Sequence, residues 1–261
     1  MTGFYKFLEG AGLTTDLNSI KRQEIELFLL HLQKKGQAPD SVLSMFSSLR
    51  AFFNWCKEEE LIASNPVKNM HPPKIPHRVA KPFLPDNAME NILKICPANR
   101  FLGARNWAMI QVLWTSGMRL EECANIRLPD MEWDRGRIKI FGKGARERWV
   151  PFMPNAKKAL WRYLEYRNDK LPELWLSGLR TPTPMTYVGV KSTVHKLMER
   201  AGYGHMKDKA HIFRRTWAMR QIRAGIPTKS IQLVGGWENL STLEIYIRAM
   251  ESEEALNAKW V

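Results

Sequence analysis

The stretch HPPKIPHRVAKPFLP, His71 to Pro85, places five prolines in fifteen residues. Proline fixes φ, lacks a backbone N–H and restricts the residue before it, so neither a helix nor a central strand runs through such a segment. The stretch therefore reads as a linker that divides a chain of 261 residues, a length that accommodates two cores. The expected division is a first domain over 1–72, a linker over 73–85 and a second domain over 86–261.

The first domain is helical in pattern. In SIKRQEIELFLLHLQKKG, residues Ile25, Phe28, Leu29 and Leu32 recur at helical spacing and Gly36 follows as a C-terminal cap. A second helix is expected from Pro39, with Val42, Met45, Phe46, Leu49, Phe52, Phe53 and Cys56 forming one apolar stripe that belongs in a core. In the second domain, Asn87 and Glu90 have capping-box spacing ahead of Ile92 and Leu93. A helix from about Asn106 to Thr115 is apolar nearly all round and so central. GRIKIFGKGARERWVPF reads as two short strands, Ile138 to Phe141 and Arg148 to Phe152, joined by a glycine-rich turn, with the remainder helical.

Composition narrows the partner. Lysine and arginine outnumber aspartate and glutamate 40 to 26, a net charge of +14, which points to a polyanion, with nucleic acid ahead of an anionic membrane. No apolar run is long enough to span a bilayer, since FLGARNWAMIQVLW is interrupted by Arg105 and Asn106, and MTGFYKFLEG lacks the apolar segment of a signal peptide. Cys56, Cys96 and Cys123 are scattered and form no CxxC pair, so neither a disulfide framework nor a zinc site is expected, and a reducing cytoplasm fits.

Five features carry groups capable of chemistry. Arg119 stands three residues before Glu122 at a helix start, where a carboxylate can hold a guanidinium whose fork still faces a phosphate. Lys143 lies between Gly142 and Gly144 at a hairpin tip. His211 and Arg214, in HIFRRTWA, share one helix face. Trp237 offers one indole donor, and Tyr246 follows Ser241 and Glu244, again at capping-box spacing. Taken singly, each has an ordinary explanation as a surface ion pair, a solvated turn lysine, a hydrogen-bonded histidine or a packed aromatic ring.

Their order and surroundings resemble the tyrosine recombinases, also called phage integrases. The family's T-G-x-R-x-x-E motif stands here as TSGMRLEE, its hairpin lysine as GKGARERWVPF, its His-x-x-Arg as HIFR, and its closing segment as VGGWENLSTLEIY, with Trp237 where most members have histidine. Arg215 occupies a position where histidine is frequent, read as a neutral or DNA-facing change. LRAFFNWCKEEELIASNPV is similar to part of the helical core-binding domain that these enzymes carry, so the resemblance covers nearly the whole chain, without an extra arm-binding domain.

The resemblance implies a mainly α fold with a small β-hairpin or sheet: a helical N-terminal core-binding domain and an α+β catalytic domain. It implies a site-specific recombinase that cuts and rejoins DNA through a 3′-phosphotyrosine at Tyr246. Arg119 and Arg214 would clamp the phosphate, with Glu122 supporting Arg119. Lys143 would protonate the leaving oxygen, His211 would assist proton removal, and Trp237 would contact the phosphate or pack under the tyrosine helix. No metal, cofactor or ATP is required by that mechanism. Implied partners are double-stranded DNA and further copies of the chain, a dimer on a site and a tetramer in synapsis. These would exchange the tail MESEEALNAKWV through Leu256, Trp260 and Val261, at the nucleoid and away from membranes. A type IB topoisomerase and a catalytically silent DNA-binding protein are the competing readings.

Overall fold

The computed structural model describes residues 2–73, 82–142, 147–206, 209–240, 243–245 and 247–248. The chain forms two compact units, Met1–Val79 and Ala80–Val261. Most of the expected linker, 74–81, lies outside the described residues, as do Lys143, Ser241, Tyr246 and the tail from 249 onward.

The first unit contains α1 (Thr2–Gly10), α2 (Arg22–Lys34) and α3 (Pro39–Glu58). Proline at the first position of α3 sacrifices no intrahelical bond, because that N–H has no partner in any helix. Gly36, at φ +75°, makes the left-handed turn after α2. Phe4, Ile25, Phe28, Phe46, Leu49 and Phe53 are buried in one core, and Met45 and Phe52 edge the α3 stripe, partly buried. The stripe falls where its spacing places it.

In the second unit, α4 (Ala88–Lys94) precedes α5 (Phe101–Ser116), and α5 is the central element, buried without interruption from Ala108 to Ser116. The expected capping box at Asn87 does not form. Asn87 already has helical backbone angles and its side chain caps nothing, while Glu90 pairs instead with Lys94 at 2.8 Å. Helix α5 begins five residues before the expected Asn106. Arg105, which looked like an interruption, is buried within it and donates to the carbonyls of Leu176 and Ser177 at 2.8 and 3.1 Å.

After α6 (Leu120–Ala124) come β1 (Met131–Glu132), β2 (Arg137–Phe141) and β3 (Glu147–Pro151), an antiparallel sheet in the order β1-β2-β3. The two-residue β1 is too short to leave an alternation in the sequence, and it adds a third strand to the expected pair. Helices α7 (Pro154–Leu164), α8 (Tyr187–Met198), α9 (Lys209–Arg223) and α10 (Thr228–Gly235) follow. The expectation that everything after the hairpin is helical fails over 165–186. There Pro172, Pro182 and Pro184 interrupt the chain, and isolated bridges join Arg127 to Glu173 and Leu176 to Pro184. Buried Trp175 fixes this segment by donating to the Cys123 carbonyl at 2.7 Å.

Arg215, which follows Arg214 on α9, packs inward against the start of the second unit. It is buried, and its Nε donates to the Pro82 carbonyl at 3.1 Å, while Thr216 accepts from the Leu84 N–H at 2.8 Å. Together they seat the start of the second unit on α9. The three cysteines are buried and free. Among the described residues no helix is long and apolar enough to cross a membrane, and no group of three or more His, Cys, Asp or Glu could hold a metal ion.

Candidate active site

The end of α10 organises the site. A helix leaves its last carbonyls without intrahelical donors, and they carry the negative end of the helix dipole. Here three successive carbonyls each receive a different arginine. Arg148 Nε donates to Val234 at 2.9 Å, Arg214 Nη1 to Gly235, and Arg119 Nη2 to Gly236 at 2.9 Å. Arg214 Nη1 also donates at 2.8 Å to the carbonyl of Gly117, the residue that caps α5. One guanidinium thus closes the C-termini of two helices.

Glycine is required at these turns. Gly117 and Gly236 have φ of +66° and +68°, and a Cβ at Gly117 would stand 2.2 Å from the Trp217 ring. A Cβ at Gly235 would stand 1.9 Å from Trp237, so Gly235 makes room for that indole. Trp237 uses the space to cover Arg214, whose guanidinium carbon lies 3.8 Å from the ring centroid, and it stacks on Trp217 at 6.3 Å and 17°. In the structure Trp237 therefore packs between Arg214 and Trp217.

Glu122 balances the arginines. At the third position of α6 it reaches back to the Arg119 N–H at 2.7 Å and accepts from Arg119 Nη1 at 2.9 Å, as the spacing predicted. Its two oxygens also take Arg148 Nη1 and Nη2 at 2.9 and 2.7 Å, a fork-to-fork pair with both side chains largely buried. Burial pushes the Glu122 carboxyl up, but the hydrogen bonds from Arg148 and the Arg119 backbone, with the neighbouring charges, hold it below the ordinary carboxylate range. Burial pushes Arg214 down to about 9, with repulsion from Arg119 and Arg148 adding to it and Glu122 opposing. Among the described residues, three guanidiniums against one carboxylate leave a surplus of positive charge. Arg214 Nη2 is buried with no hydrogen-bond partner among the described residues. An anion placed there would supply both the missing acceptor and the missing counter-charge.

The structure brings Arg119, Glu122, Arg214 and Trp237 into one cluster. His211 sits exposed in the first turn of α9, one turn before Arg214. Lys143, between β2 and β3, and Tyr246 lie outside the described residues. The chain on either side of Tyr246 is helical, and Leu243 and Ile247 join the apolar cluster around Trp217 and Ile231. Arg148 was missed. Its signal was the alternation ERWVP, in which inward Val150 sends Arg148 inward two residues earlier.

A sequence profile of the phage integrase family matches residues 82–253, and one of the phage integrase N-terminal SAM-like domain matches residues 2–60. The chain belongs to the phage integrase family. Among similar curated proteins, the tyrosine recombinase XerC of Anoxybacillus flavithermus is 30% identical over 253 residues, 93% of this chain and 82% of that protein. The XerC of Leptospira interrogans is 32% identical over 250 residues, 94% and 78%. Among solved structures, the XerH site-specific recombinase bound to a palindromic difH substrate gives a TM-score of 0.77 at 19% identity, covering 97% of this chain and 76% of that one. The Tn1549 transposon integrase in complex with transposon right end DNA gives 0.72 at 19%, covering 98% and 92%. These two likenesses establish the phage integrase fold around the arginine cluster.

Proposed function

We propose that this chain recombines DNA at specific sites, with Tyr246 as nucleophile and Arg119 and Arg214 as the phosphate clamp. The observation that carries the reading is the buried Nη2 of Arg214, without a hydrogen-bond partner among the described residues and set in a cluster with surplus positive charge at the junction of α5, α9 and α10. Charge that develops on a phosphate oxygen in the transition state meets a donor already fixed in place.

In the cleavage step the Tyr246 oxygen bonds to phosphorus and the bond to the 5′ oxygen breaks, leaving a 3′-phosphotyrosine. The 5′ oxygen takes its proton from Lys143, and His211 receives the phenol proton. An unperturbed phenol has a pKa of about 10, so it needs this assistance at neutral pH. Rejoining reverses the step, and the phosphotyrosine conserves the bond energy that ATP would otherwise supply. The partner is double-stranded DNA, bound by a dimer that pairs into a tetramer, with the tail 249–261 exchanged between copies.

A duplex with sulfur at the 5′ bridging position tests the roles, because thiolate leaves without a proton. On the site enriched by the wild-type chain, Lys143→Ala is expected to cleave the sulfur substrate near the wild-type rate and the oxygen substrate slowly. Arg214→Ala is expected to be slow on both. Equal impairment of Lys143→Ala on both substrates would refute its assignment as the acid.

A further inference from the structure

Strand register decides where Arg148 points. Ile138 and Ile140 of β2 face the core, and the pairing sets Val150 opposite Ile138 and Arg148 opposite Ile140. A guanidinium sent inward needs its donors satisfied. Arg148 satisfies them by spanning three elements: it stands on β3, grips both Glu122 oxygens on α6 and donates to Val234 at the end of α10. The turn after α10 rests directly on it, since a Cβ at Gly236 would come within 2.9 Å of the guanidinium carbon.

Both elements that Arg148 holds bind the arginines assigned to the phosphate. Glu122 fixes Arg119 through its N–H and Nη1, and the carbonyls of Gly235 and Gly236 fix Arg214 and Arg119. The Arg119 side chain is 39% exposed, against 14% for Arg148, so the buried residue is the better anchor.

We propose that Arg148 is a positioning residue for cleavage, a latch between β3, α6 and α10 that holds Arg119 and Arg214 in register without touching the DNA. The proposal rests on the assignment of those two arginines to the phosphate. The groups facing Glu122 support it: Arg148 from β3, Arg119 from the N-cap of α6 and Arg214 from α9, with the Cys123 thiol beside it on α6. Hydrogen bonding to Arg148 is the leading influence that lowers the Glu122 carboxyl. Lysine substitutes only in part, because it offers one point charge in place of a fork and a third donor.

The test uses the full chain with Arg148→Met and Arg148→Lys. Single-turnover cleavage and affinity are measured on the nicked duplex that the wild-type chain enriches from a randomised pool, and the Glu122 carboxyl is titrated by carbon-13 NMR without DNA. Arg148→Met is expected to slow cleavage on the order of 10²-fold, as a displaced catalytic group does, with affinity nearly unchanged. The Glu122 titration is expected to move up, and Arg148→Lys to recover part of both effects. Wild-type cleavage by Arg148→Met would overturn the proposal, as would a slowing matched by weaker binding while Glu122 titrates as in the wild type. Should the methionine variant fail to fold, Arg148→Lys still decides, since wild-type cleavage and titration in it would overturn the latch. A wild-type chain that forms no adduct would overturn the cleavage role together with the reading beneath it, and the titration would then report the ion cluster alone.

Discussion

Replacing Glu122 by alanine removes the carboxylate that pairs with Arg119 and Arg148. Four hydrogen bonds are lost, two from Arg119 and two from Arg148. Arg148 is then left largely buried, with the Val234 carbonyl as its remaining side-chain acceptor among the described residues. Breaking a buried pair from one side costs about 3–5 kcal/mol, because the surviving charge stays desolvated. In a folding unit of this size each kcal/mol lowers Tm by about 2–4 °C, so a fall of roughly 6–20 °C is expected. Scanning calorimetry measures it. The variant Glu122→Leu/Arg148→Met carries the decisive contrast, since it removes both charges and keeps the volume. It is expected to regain most of the lost Tm, short of about 1 kcal/mol for the uncapped Arg119 N–H, and to remain slow in DNA cleavage because Arg119 has lost its anchor. A fall of less than about 3 °C in Glu122→Ala, below the range just given, would refute the buried-cluster reasoning. So would a double variant as unstable as the sum of the two single changes.

Three further outcomes follow from the same geometry. Gly235→Ala drives a Cβ into Trp237 and should cost about 1–3 kcal/mol as overpacking does; in a Trp237→Ala background most of that cost should vanish, which a double-mutant cycle by calorimetry reads directly. Glu122 has a folded-state pKa depressed below its ordinary value of 4.5, so its contribution is complete above that value and is lost as pH falls through the folded value; Tm of the wild type should therefore drop more steeply in acid than that of Glu122→Gln. With a net charge of +14, DNA binding should fall with a log–log salt slope of about −5 to −9 if six to ten phosphates are contacted, measurable by fluorescence anisotropy.

What the sequence revealed depended on how far each cause extends along the chain. The α3 stripe and the Gly36 cap are local and periodic, and both stand as read. Arg105 misled because a charge in an apolar run looks like an interruption, whereas its partners, the Leu176 and Ser177 carbonyls, lie some seventy residues away. The cluster divides in the same way. The Arg119–Glu122 pair is three residues apart and was legible. The Arg148–Glu122 pair is twenty-six residues apart and crosses from strand to helix, so only the inward register of β3 hinted at it. Gly235 and Gly236 were visible as a motif, but the three arginines that their turn receives come from α9, β3 and the N-cap of α6, a convergence that no local pattern encodes.

The most direct measurement is of the covalent intermediate. Purified chain is incubated in EDTA with nicked, randomised duplexes, so that the fragment beside the nick escapes and the attached state accumulates, and SDS-resistant adducts are recovered and sequenced alongside Tyr246→Phe. The adducts are expected to require Tyr246, to form without divalent metal and to enrich a narrow inverted-repeat site. Adducts of equal yield from Tyr246→Phe, or adducts on the whole pool without enrichment, would contradict site-specific cleavage through Tyr246.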